Sequence, residues 1–198
     1  MKNNLKAYLV VILIALSNNY LKGQETVDLM QYNIGDNGNK YFKDLNNYYT
    51  PFIGTWEYTN GNETFRVVLW KVARHQSITE TNSFMDEMHG KFSMIQNAGL
   101  PNETIIYRSD KNLPNSTSPW PNVIQISGGI ANEIGGAFID NCILPTTDKT
   151  FIIGKLEINL NATSPLTANW KVIDLKGLRL SNYPNFRVPK DIVLTKVN

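Results

Sequence analysis

The chain has 198 residues, of which 42% are hydrophobic, 11% aromatic and 18% charged. That is long enough for one domain with a proper core and too apolar for a disordered chain. A single cysteine excludes a disulfide framework and a four-cysteine zinc site.

Lys2 and Lys6 precede a run of ten apolar residues, Ala7–Leu16. A membrane-spanning helix needs about 20 such residues, so this run reads as the core of a secretory signal. Small residues at Ala15 and Ser17, or at Gly23, suit cleavage. The expectation is removal of residues 1–23, with a secreted, periplasmic or cell-surface product and no membrane span in the mature chain. Three of the 19 basic residues (Lys2, Lys6, Lys22) would leave with it, so 16 would face 17 acids. The formal charge of +2 therefore comes from the export segment. No basic stripe remains, and nucleic acid is not an expected partner.

Residues 24–40 read as an extended lead-in with a short contact strand near Val27–Tyr32. Apolar residues at 41, 42, 45, 48 and 49 predict one or two helical turns over Tyr41–Tyr49, ended by Pro51. Strand follows strand from there. Ile53–Thr59 and Glu63–Arg74 flank Asn60-Gly61-Asn62, a hairpin signal. Glu87–Asn97 alternates, with Met88, Phe92 and Met94 opposite Glu87, His89, Lys91 and Ser93. Thr104–Arg108 is short, and Asn122–Ser127 and Gly136–Ile143 flank a glycine-rich turn. Phe151–Leu160, Ala168–Leu175 and Ile192–Val197 complete the set. The pattern predicts an all-β fold: an antiparallel barrel or barrel-like sandwich of about eight to ten strands, one domain over residues 41–198. The inward set would include Trp56, Val68, Trp70, Met88, Phe92, Met94, Ile152, Leu156 and Ile158.

Gly54-Thr55-Trp56 after a short helical turn resembles the opening strand of lipocalin-like proteins. The resemblance implies a Trp56 that plugs the closed end of a barrel, with a late cation, Arg187 or Lys196, across its ring. The order Tyr48–Trp56, Glu63–Arg74, Pro189–Lys196 behind an export signal resembles an uncharacterised family of small secreted bacterial proteins, the domain of unknown function DUF6705. That likeness implies secretion and a β-rich domain, and no activity.

No nucleophile elbow and no His-Glu-x-x-His motif occurs. Ser127-Gly128-Gly129 reads as a turn, and Cys142 as a small buried hydrophobe. His75 and His89 are the only histidines, with Asp86 and Glu87 near the second. The alternation places His89 on a solvated face, so neither a metal nor another cofactor is expected. The interior wall (Trp56, Trp70, Phe92 and Met94) could hold one small apolar ligand. Trp120, between two prolines, could touch an extracellular glycan or protein. The alternatives are a structural or interaction module without a ligand, and a glycan hydrolase built on carboxylates such as Glu57 or Asp140.

Overall fold

The computed structural model describes residues 23–32, 37–76, 82–109, 123–130, 132–142, 151–164, 166–175 and 185–197. These hold eleven strands: β1 (Glu25–Asp28), β2 (Lys40–Lys43), β3 (Gly54–Asn60), β4 (Glu63–Gln76), β5 (Phe84–Gln96), β6 (Thr104–Arg108), β7 (Ile124–Ile130), β8 (Glu133–Asp140), β9 (Ile152–Asn161), β10 (Thr167–Asp174) and β11 (Asp191–Val197). No helix among the described residues is long and apolar enough to cross a membrane.

Eight strands form a closed antiparallel barrel in the order β5-β4-β3-β11-β10-β9-β8-β7, and β7 pairs back to β5. With β6 set aside, each barrel strand neighbours the next in sequence, and β11 meets β3 through Lys196↔Trp56. This is an up-and-down barrel, which leaves no free edge along the closed circuit. β5 is 13 residues long, and one of its edges serves three partners in turn. β2 runs parallel at Phe84–Met85, β7 antiparallel at Met88–Gly90, and β6 antiparallel at Ser93–Gln96. β1 extends β2 outward.

Inside, four rings from four strands meet across the lumen. Phe92 stacks on Phe138 with centroids 5.3 Å apart, and Phe138 meets Trp170 edge-on at 5.6 Å. Trp170 meets Phe65 at 5.7 Å, and Phe65 returns to Phe92 at 6.0 Å. Spacings of this kind are favourable for aromatic pairs. The circuit fills the midsection of the barrel.

Three local expectations are corrected. Residues 40–43 are strand β2, and the helical turn is a single 3-10 turn at Thr50–Phe52. Pro51 lies inside that turn rather than ending one, at a position where its missing N–H costs nothing. Gly128 belongs to β7, at a bulge between Ile126 and Gly129, and the turn comes after Ile130. Glycine is the residue that bulges tolerate. Finally, Val68 and Trp70 face outward, and Val67 and Leu69 fill the core. The run Phe65–Trp70 is apolar on both faces apart from Arg66, so its period could not fix the phase.

Candidate functional site

β5 places Met85, Glu87 and His89 on the outer face of the barrel wall, since side chains alternate along a strand. β4 runs beside it in regular register as far as Val72↔Glu87, and then resumes at His75↔Met85. One extra residue is accommodated there, with Arg74 at φ 53°. A one-residue shift reverses the facing of everything beyond it. The bulge therefore turns His75 onto the face of Glu87 and His89. The Arg74 N–H donates to Asp86 Oδ1 at 3.1 Å, which ties the bulge to β5.

The three side chains converge. His89 Nε2 lies 2.8 Å from Glu87 Oε2, and His75 Nδ1 lies 3.3 Å from the same oxygen. One ligand atom from each residue falls within 4.8 Å of the other two. The imidazoles meet edge-to-face at 5.5 Å. From β7, the Gln125 amide donates to both Glu87 oxygens, at 3.2 and 3.0 Å. His89 is 5% exposed and Glu87 7%, which corrects the expectation of a solvated face. Two imidazole nitrogens and one carboxylate oxygen are the donor set of three-ligand zinc and related transition-metal sites. Glu87 and His89 two apart on one strand face were the legible part of this site. His75 was not, because nothing in the sequence marks the bulge.

The interior residues are distributed differently from expectation. Trp56 is buried at one end, and Phe92 belongs to the ring circuit. Trp70 is 38% exposed on the outer wall beside His89, and so is not part of the interior. Met94 lines a cleft of about 320 Å³ at the opposite end of the lumen from Trp56. Its floor is Phe65, Met94, Tyr58 and Ile192, and Glu63 and Asp191 stand among its polar residues. Trp120 lies outside the described residues.

The acids are engaged in structural contacts. Glu57 pairs with Arg66 across the first hairpin. Asp140 is fully buried and accepts three backbone N–H groups: Cys142 at 3.0 Å, Arg187 at 2.6 Å and Val188 at 3.2 Å. Arg187 itself stacks over Tyr107 at 4.5 Å, and Cys142 is buried as expected.

A second polar cluster sits at the Trp56 end and had no sequence signal as a unit. Lys71 Nζ bridges Asp44 at 3.2 Å and Asp86 at 3.0 Å. Asp44 also accepts the N–H groups of Tyr48 and Tyr49, organising the turn before β3. Asp86 also accepts from the Tyr41 hydroxyl at 2.6 Å. Burial alone would raise the Asp86 carboxyl. The hydrogen bonds from Tyr41, Lys71 and two backbone amides outweigh it and hold the carboxyl below the usual aspartate range.

The model of a family of unknown function, DUF6705, matches residues 1–197. The chain belongs to that family. No curated protein and no solved structure matches this DUF6705 chain.

Proposed function

We propose that this is an exported barrel protein that takes a small amphipathic molecule into the mouth of its lumen. The observation that carries this reading is the cleft of about 320 Å³ between the β3–β4 hairpin and the start of β11. Its volume lies near the lower end of known ligand sites, about 300–1,000 Å³. Phe65 is both the floor of the cleft and a member of the ring circuit, so the ligand stops at the mouth. Apolar Met94 and Ile192 against polar Glu63, Asp191 and the cationic Lys190 suit a molecule with one greasy and one polar end. Export rests on the basic start and ten-residue apolar run of residues 1–23.

The test is titration with 1-anilinonaphthalene-8-sulfonate, a small amphipathic fluorophore. One saturable site is expected, weakened at least tenfold by Met94→Arg and unaffected by Trp70→Ala on the outer wall. Equal uptake by wild type and Met94→Arg would remove the mouth as the site. Mass spectrometry of the exported product should show an N-terminus near residue 24. A full-length chain held in the membrane fraction would contradict export.

A further inference from the structure

We infer that His75, Glu87 and His89 form a binding site for one divalent transition-metal ion of the zinc class on the outer wall of the barrel. The first support is distance. Ligands about 2.0–2.2 Å from a tetrahedral ion lie about 3.3 Å from one another. Glu87 Oε2 already lies 2.8 Å from His89 Nε2 and 3.3 Å from His75 Nδ1. These two separations need adjustments of tenths of an ångström to seat an ion, and the third, between the two imidazole nitrogens, lies within 4.8 Å and closes by rotation of the His75 side chain.

The second support is the way the ligands are held. Glu87 and His89 stand on a paired barrel strand, and the β4 bulge delivers His75 to the same face. Gln125 grips the Glu87 carboxylate from the opposite side. Carboxylate ligands of metal sites are typically oriented by such partners. The third support is charge. Among the described residues, the Glu87 carboxylate is contacted by His75, His89 and the Gln125 amide, none of which carries a fixed positive charge. A buried carboxylate in that setting is suited to a cation.

Two nitrogens and one oxygen favour zinc and its first-row neighbours over magnesium or calcium, which prefer oxygen alone. Three protein ligands leave at least one coordination position for water or another small ligand. The His75 side chain, 33% exposed, places the cluster within reach of solvent.

The experiment uses the untagged protein, so that no engineered histidines compete. Zinc is titrated against a chromophoric chelator, and cobalt(II) is titrated by its visible ligand-field absorption. One zinc ion per chain is expected, with cobalt absorption of the intensity of a four- or five-coordinate site. Glu87→Gln and His75→Ala should each weaken zinc at least tenfold while the far-ultraviolet circular dichroism stays native. Gln125→Ala should weaken it about tenfold. Less than half an equivalent of zinc in the wild type would overturn the proposal. So would wild-type affinity in His75→Ala, whose partly exposed side chain can be removed without unfolding the barrel. These readouts are independent of the dye titration at the mouth.

Discussion

Lys196 Nζ sits 5.4 Å from the centre of the Trp56 ring and donates to Pro51 O at 2.8 Å. The two residues are also register partners where β11 meets β3, so the cation, the indole and the closure of the barrel are one joint. Trp56 Nε1 donates to Phe52 O at 2.7 Å, which fixes the ring from its other side. Gly54 completes the joint: its φ is 127°, and a Cβ there would stand 3.2 Å from Lys196 Cε. Burial lowers the affinity of the Lys196 ammonium for its proton. Lys196→Met keeps the stem but loses the cation and one hydrogen bond. It should cost about 1–2 kcal/mol. Gly54→Ala should cost about 1–3 kcal/mol through its backbone conformation. Urea denaturation measures both, and a Lys196→Met midpoint equal to wild type would deny the joint a structural role.

The ring circuit makes a sharper contrast between two large aromatic residues. Phe138 touches Phe92 and Trp170 at the middle of the lumen and is fully buried. Phe138→Ala should cost about 3–5 kcal/mol, the range for deleting a buried aromatic ring. Trp70 faces outward and is 38% exposed, so Trp70→Ala should cost under about 1 kcal/mol. A Trp70→Ala cost in urea denaturation as large as that of Phe138→Ala would place Trp70, and not Val67 and Leu69, on the inner wall of β4.

That contrast shows what the sequence made legible. β5 and β9 were readable because one face of each is polar, as Lys155 and Glu157 are against Leu156 and Ile158. β4 was not, since Val68 and Trp70 are as apolar as Val67 and Leu69. Gly54 and Trp56 were readable together through the lipocalin-like likeness, which left the cation open between Arg187 and Lys196; only the barrel puts Lys196 beside the indole and Arg187 over Tyr107. The His75–Glu87–His89 cluster was not readable, because it depends on a left-handed Arg74, and arginine gives no local signal for positive φ. The Lys71 cluster was equally hidden. It joins a turn aspartate, a strand lysine and a strand aspartate that only the barrel brings together.

Tyr41 carries a pH prediction. Burial first, and then its hydrogen bond to Asp86, push its phenol from 10.0 up to about 12. The native state therefore holds this proton more tightly than the unfolded chain. The resulting stabilisation is complete below pH 10 and is lost as the pH rises from 10 through about 12. Tyr41→Phe should lower stability at neutral pH by about 1 kcal/mol and flatten the alkaline fall. Difference absorbance should show one fewer phenol ionising late. Identical alkaline slopes for wild type and variant would refute the assignment.

Lys71 offers a test of coupling rather than of one contact. Its ammonium lies between Asp44 and Asp86, whose side chains are 0% and 1% exposed. Removing it leaves two buried carboxylates without their shared cation. Breaking a buried pair in this way costs about 3–5 kcal/mol, and the partial exposure of Lys71 places the expectation for Lys71→Met near 3 kcal/mol. Asp86→Asn alone should also destabilise, since Oδ2 accepts both Lys71 and the Asp44 N–H. In the double variant only one carboxylate remains to be accommodated. Its cost should therefore fall at least 1 kcal/mol short of the sum of the two single costs. Strict additivity in denaturant unfolding would mean that Lys71 stabilises the barrel end through its packed stem and not through the charge it shares between the two aspartates.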